Sequence, residues 1–314
     1  MKSAITRVFS AKEVLQKLHL LDLARRVRFK LMNVQASWLQ LIYPNGKYIQ
    51  GPNQCSVYAD FKNPNFRWYY GKNLFLEQEH TAFTRLFDLK NPSVVVDIGA
   101  HWGVFPAMLE AGYHKFPSIK HVICIEPDPE NIPILKKTAS KIKNFKVTVI
   151  ESAIGEIDSE VIAHREGGAC LQTYNNHNYD SSIKVAIKKI ETILSQLDVV
   201  PDEVTHIKID IDGYEPSFFF GSQDWLKNVN PFILTEYWAA GLEKHPNYST
   251  LEYFSVLLNQ FYVVKCNYPE GTYSILNIDD LEDLNLQTQT AVVNLLLIPK
   301  TTMNIESLKR IFNL

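Results

Sequence analysis

Residues 93–103, Ser-Val-Val-Val-Asp-Ile-Gly-Ala-His-Trp-Gly, constrain the fold more than any other stretch of the chain. Val94, Val95 and Val96 make a β-branched run, followed by Asp97, Ile98 and the turn former Gly99. An apolar run without polar alternation, bounded by turn chemistry, reads as a strand buried on both faces. Strands of that kind belong to the parallel sheets of α/β folds. A small-residue turn and a helix start follow the strand. Nucleotide-type ligands are held in this way, because small residues let the backbone approach and helix N–H groups point at the ligand. The alternative is a tight strand-to-helix turn that holds nothing.

The rest of the chain repeats this alternation. Apolar runs predict strands at 94–98, 121–126, 147–150, 206–211, 232–236, 262–266 and 291–298. Helical patterns fall at 77–89, 102–111, 128–142, 190–197, 218–228, 250–259 and 305–312, and a hairpin-like insert lies within 161–187. Strands separated by helix-length segments argue for βαβ units and a mostly parallel sheet. Residues 1–42 read as a basic helical arm and 47–70 as short aromatic strands and loops. The expected division is an N-terminal extension, 1–75, and an α/β domain, 76–314.

Composition narrows the partners. The net charge of -2 implies no general attraction to nucleic acid or an anionic membrane. No segment approaches the roughly 18 apolar residues of a membrane span, and no apolar signal region is read at the N-terminus. Cys55, Cys124, Cys170 and Cys266 are scattered without metal or redox spacing, which suits a reducing, cytoplasmic setting. The basic arm is expected to pack on the domain or on a second subunit, giving a homo-oligomer. An anionic surface is the sharper alternative for it.

Three groups of residues carry chemistry. In the turn 97–103, Gly99, His101 and Val104 hold the first, third and sixth places, so a Gly-x-Gly-x-x-Gly dinucleotide fingerprint is absent. Asp97 at the head of the turn would repel a pyrophosphate and attract an ammonium or sulfonium. Glu126 ends the next strand, where an acid can accept both hydroxyls of a ribose. It can equally serve the start of the helix that follows. Asp210, Asp212 and Glu215 then crowd the end of the fourth strand, at a cost unless a cation, a proton or a substrate hydroxyl is present.

Asp97-Ile-Gly-Ala-His-Trp-Gly103, Ile125-Glu126-Pro127-Asp128-Pro129-Glu130-Asn131, Ser152-Ala153-Ile154-Gly155 and Ile207-Lys-Ile-Asp-Ile-Asp-Gly-Tyr-Glu215 occur in that order. Over residues 75–240 the chain resembles the FkbM family of S-adenosylmethionine-dependent methyltransferases. The resemblance implies a Rossmann-like, seven-stranded sheet, mostly parallel with an antiparallel last strand. It implies O-methylation of a hydroxyl on a sugar, glycoconjugate or natural product. By the same resemblance, Asp97, Gly99, Ala100, His101 and Gly103 surround the methionine end of the cofactor. Glu126 holds the ribose, and Pro127, Ser152 and Ala153 flank the adenine. Asp210 lies beside the sulfonium and the acceptor hydroxyl. His101 stands where the family usually has Asn, Trp102 where it has a small aliphatic residue, and Asp212 replaces the commoner Glu.

Methyl transfer to oxygen needs a base. Asp210 serves directly, or Asp210 and Glu236 share a divalent metal that acidifies the hydroxyl. The metal-free version is favoured, because only two well-placed acids are evident. His101 and His245 are weaker base candidates. Tyr237 and Trp238, or the insert around His164, Arg165, Gly167 and Gly168, are candidate walls for a small-molecule or glycan acceptor. A nicotinamide oxidoreductase and a non-catalytic binding protein on the same fold are the competing readings.

Overall fold

The structure is a computed structural model that describes residues 38–63, 73–166, 170–172, 182–244, 247–268 and 270–314. Most of the expected N-terminal arm, together with Arg165's side chain, Gly167, Gly168 and His245, lies outside the described residues. The chain divides into two compact units, 1–47 with 60–71, and 48–59 with 72–314. In the first, residues 38–42 are helical and the rings of Tyr43 and Phe61 meet at 6.1 Å.

The second unit carries the candidate site. In chain order it holds β1 (Lys47–Gln50, which begins at the boundary), β2 (Ser56–Ala59), α1 (Asn73–Arg85), β3 (Val94–Ile98), α2 (Val104–Ala111), β4 (His121–Ile125), α3 (Ile132–Ala139) and β5 (Lys146–Ile150). Next come β6 (Ala153–Ile154), β7 (Ser159–Glu166), β8 (Cys170–Gln172), β9 (Ser182–Lys188), α4 (Ile190–Gln196) and β10 (Val204–Ile209). The chain continues through α5 (Glu215–Gly221), α6 (Gln223–Val229), β11 (Phe232–Tyr237), α7 (Ala239–Leu242), α8 (Thr250–Gln260) and β12 (Phe261–Asn267). It closes with β13 (Thr272–Leu276), α9 (Leu281–Thr288), β14 (Val293–Pro299) and α10 (Ile305–Phe312).

The main sheet runs β13-β12-β14-β11-β10-β3-β4-β5. The pairs from β11 through β5 are parallel, whereas β14 is antiparallel to both β11 and β12. This is the expected mixed α/β architecture with an antiparallel last strand. It has one strand more than expected, because β13 adds to the edge. Its sequence, Thr-Tyr-Ser-Ile-Leu, carries too little apolar character to stand out as a core strand. The insert forms a separate four-stranded sheet, β6-β9-β7-β8.

Helices cover both faces, as the fully buried β3, β4 and β10 require. Ile193 of α4, Phe218 of α5, Trp225 of α6 and Phe254 of α8 pack with Val96, Ile98, Ile207, Ile209 and Ile233 on one face. Phe83 of α1, Leu109 of α2, Leu135 of α3 and Leu308 of α10 pack with Val95, Val122, Leu234 and Leu296 on the other. The helix expected at 218–228 is two, α5 and α6, broken at Gly221 and Ser222. A Cβ on Gly221 would fall 2.4 Å from Glu156 Cα, so the break is set by close packing against the insert. The helix expected from 128 starts instead at Ile132, with Asn131 as its N-cap.

Candidate functional site

The turn after β3 is built on backbone contact. The N–H groups of Gly99 and Ala100 both donate to the Ile125 carbonyl, at 2.9 and 3.0 Å, and tie the turn to the end of β4. Asp210 N–H donates to the Ile98 carbonyl at 3.0 Å, bringing the end of β10 alongside. A Cβ on Gly99 would sit 1.9 Å from the Asp210 carbonyl oxygen, and its φ is +80°, so only glycine fits. His101 also has positive φ, +48°. Asn and His are among the side chains that tolerate this region. A histidine therefore suits the backbone conformation of this turn. Trp102 is buried, and its indole N–H donates to Asn131 Oδ1 at 3.1 Å. It ties the turn to the cap of α3.

Two acids at neighbouring strand ends have opposite surroundings. Glu126 accepts from His101 N–H at 2.8 Å, Asp128 N–H at 2.9 Å and Asn131 Nδ2 at 3.3 Å. Burial pushes its carboxyl up to about 7, and those hydrogen bonds oppose the shift. Three of its roughly four acceptor positions are thus spent on holding the turn. Asp97 is fully buried, and neither of its oxygens has a hydrogen-bond partner. Burial raises it to about 6, opposed by the Lys208 ammonium 3.9 Å away.

Lys208 is the centre of the site, and the sequence motif around it points to no role for it. It sits on β10, 5% exposed, between Ile207 and Ile209. Its Nζ lies 3.2 Å from Asp210 Oδ2, 3.4 Å from Glu79 Oε1 and 3.9 Å from Asp97 Oδ1. This is the cation that the crowded carboxylates require. The signal in the sequence is a lysine flanked by two isoleucines within a strand. Glu79, on α1, had no such signal. Burial lifts Glu79 to about 7, and its Oε2 has no hydrogen-bond partner. Glu236, on β11, is half-buried. Its carboxyl is pushed well above the usual range, first by burial and then by Asp210 and Glu79.

The other candidates take varied places. Asp212, at φ +56°, is exposed. Glu215 is buried, accepts from Ile211 N–H at 3.0 Å and closes the turn, and burial raises it to about 8. Ser152 is fully buried with a hydroxyl oxygen that no partner satisfies, next to Ala153 at the start of β6. Pro127 follows Glu126 and is half-buried. Burial lowers the imidazole of His101 to about 3, so it is neutral at physiological pH. Tyr237 corrects one expectation. It is fully buried, its ring stacks on Tyr253 at 5.9 Å, and its hydroxyl donates to Asn285 at 2.7 Å. Strand alternation turns it to the face opposite Glu236, so it is core and not acceptor wall. Trp238 is half-buried, with Lys244 Nζ 5.1 Å from the centre of its ring.

Cys55, Cys124 and Cys266 are buried free thiols. Among the described residues no group of three or more His, Cys, Asp or Glu is arranged to hold a metal ion. No helix among them is long and apolar enough to cross a membrane.

No family model matches the chain, and no curated protein matches it. Solved structures similar to it include methyltransferase FkbM from Methylobacillus flagellatus KT, at 16% identity and a TM-score of 0.42, covering 74% of this chain and 53% of that one. An rRNA methylase from Streptococcus thermophilus is 13% identical, with a TM-score of 0.38 and coverage of 70% and 95%. A ribosomal protein L11 methylase from Lactobacillus delbrueckii subsp. bulgaricus is 11% identical, with a TM-score of 0.37 and coverage of 73% and 80%. The chain thus spans about half the length of the FkbM structure. At these levels the likenesses fix no activity, and the functional reading rests on the side chains.

Proposed function

We propose that this chain is an S-adenosylmethionine-dependent methyltransferase that methylates a hydroxyl of a sugar, glycoconjugate or natural product. The observation that carries the reading is Asp97. Its buried carboxylate accepts no hydrogen bond and has Lys208 Nζ only at 3.9 Å, at the end of β3, beside a turn where Gly99 leaves no room for a Cβ. A buried carboxylate without a hydrogen bond is costly, and a cationic ligand would supply the missing partner. The unpartnered Ser152 hydroxyl and the remaining acceptor position of Glu126 offer two further polar groups to an adenosine. The residues present therefore fit the cofactor.

Bound there, S-adenosylmethionine supplies an electrophilic methyl group. The chain's own contribution is to align the acceptor oxygen with it, which can remove up to roughly 7–11 kcal/mol of barrier. Asp210, fixed by Lys208, orients the acceptor hydroxyl. Glu236 is the group assigned to take the proton, because burial and its acidic neighbours raise its carboxyl, and a raised carboxylate is a stronger base than the ordinary one near ~4. The acceptor is a small molecule or glycan, with neither nucleic acid nor a membrane span required. The protein would act in the cytoplasm, paired through its basic N-terminal arm. No divalent metal is needed in this scheme.

Titration calorimetry with S-adenosylhomocysteine tests the reading. Wild-type protein is expected to bind it, and Asp97→Asn to weaken binding at least tenfold. Absence of binding by the wild type would overturn the reading. Methyl transfer with and without EDTA, and in Asp210→Asn and Glu236→Gln, then separates the roles. Loss of activity with EDTA would restore the metal version.

A further inference from the structure

One polar side chain on the face of the sheet that carries Asp97 and Lys208 belongs to none of these roles. Asn294 lies on β14 and pairs in register with Glu236 of β11. Residues directly opposite in an antiparallel pair share a face. Lys208 pairs with both Asp97 and Leu234, so strand alternation puts Asp97, Lys208, Glu236 and Asn294 on one face. Asn294 is 1% exposed, and neither its Oδ1 nor its Nδ2 has a hydrogen-bond partner. A buried amide with all its hydrogen-bonding capacity unused is rare, and it destabilises the fold unless a ligand completes it.

Glu79 approaches the same face from α1 and leaves its Oε2 unpartnered. The charges are lopsided: among the described residues, the carboxyls of Glu79, Asp97, Asp210 and Glu236 all act on the ammonium of Lys208. Half-buried Asp210 and Glu236 open this set to solvent. A phosphate or carboxylate entering here meets like charge, whereas an ammonium is drawn in. The Asn294 amide can donate to and accept from a neutral hydroxyl beside that ammonium.

We infer that Asn294, Glu236 and Glu79 form the acceptor-recognition subsite, and that it takes a hydroxyl compound bearing an ammonium group, such as an amino sugar. The inference deepens the proposed methyl transfer and rests on it for the fate of the hydroxyl; recognition of the amino sugar is measurable without any transfer. Saturation-transfer NMR on the full chain, with and without S-adenosylhomocysteine, would compare D-glucosamine, D-glucose and D-glucose 6-phosphate as probes. Glucosamine is expected to bind at least tenfold more tightly than glucose, and glucose 6-phosphate more weakly than either. Asn294→Leu is expected to weaken glucosamine at least tenfold while raising the melting temperature, because it removes two unsatisfied buried atoms. Asn294→Ser serves if the leucine variant fails to fold. Equal or tighter binding of glucose 6-phosphate, no binding of glucosamine, or an Asn294 variant that leaves glucosamine affinity unchanged would each overturn the subsite. S-adenosylhomocysteine binding on the same samples reports separately on the methyl-transfer reading.

Discussion

The two faces of the central sheet are built from the same strands and differ in kind. On one, Val96, Ile98, Ile207, Ile209 and Ile233 pack into a continuous apolar core. On the other, the same strands contribute Asp97, His206, Lys208 and Glu236. His206, away from the ligand end, packs against aromatic rings and leaves only its Nδ1 without a partner. Its ring stacks on Phe232 at 5.5 Å and meets Phe87 edge-on at 4.8 Å, and Nε2 lies 3.3 Å from the Leu86 carbonyl. The unpartnered atoms concentrate at the ligand end: both oxygens of Asp97, Glu79 Oε2 and both side-chain polar atoms of Asn294. The contrast teaches that burial alone does not explain the second face. Apolar packing maximises stability, while unsatisfied polar atoms lower it and persist where a ligand completes them.

The largest effect is expected from removing the cation that holds this face together. Lys208→Met leaves the buried Glu79 and Asp97 without their counter-charge, and losses of roughly 3–5 kcal/mol follow when one partner of a buried pair is removed. Denaturant unfolding measures it, and adding Asp97→Asn should recover part of the loss. A stability unchanged in Lys208→Met would erase the distinction between the faces. Gly99→Ala comes next. Its Cβ would lie 1.9 Å from the Asp210 carbonyl oxygen, at a φ of +80°. A cost of about 2 kcal/mol or more is expected, with loss of S-adenosylhomocysteine binding. On the dry face, Ile209→Val should cost only about 0.5–1.5 kcal/mol and spare binding.

The buried titratable groups should also make the stability depend on pH. Burial holds Asp97 at about 6, Glu79 and Glu126 at about 7 and Glu215 at about 8 in the folded chain. A raised carboxyl contributes stability that is fully present below its unfolded pKa and lost as pH rises through the folded value. The buried His80, His101, His121 and His206, all lowered, act in the opposite sense. Their contribution is present above about 6.5 and lost as pH falls toward 3 to 4. Between pH 6.5 and 8.5 the carboxyls dominate, so the ligand-free protein is expected to melt at a lower temperature at pH 8.5 than at 6.5. Glu126→Gln should flatten that slope, which differential scanning calorimetry would show. The smallest effect is the stabilisation of about 1 kcal/mol expected of Asn294→Leu.

Much of this was legible in local patterns. The valine run of β3 and the closing helix α10 fall at their expected bounds, because each has one strong periodic or apolar signal. The edge strand β13 was missed, since its polar sequence joins the sheet only through pairing with β12. The split between α5 and α6 was hidden because its cause, the approach of Glu156 to Gly221, is non-local. Asp97, Glu126, Asp210 and Glu236 were visible as acids at strand ends. Glu79 and Asn294 were not, because a helix and an antiparallel strand far apart in the chain bring them to the site.

The opening stretch, residues 93–103, determined by itself a buried parallel strand, a glycine turn and an acid at the turn's head. Strand and turn chemistry are local, so a window of about ten residues contains them. Which acids would share a cation, which would be spent on holding the turn, and which would stay unsatisfied was decided only by the tertiary structure. Those outcomes depend on distances of 3–4 Å between Lys208, Glu79, Asp97 and Asp210. The register of β3 against β10 and the placement of α1 set those distances, and no local pattern encodes them.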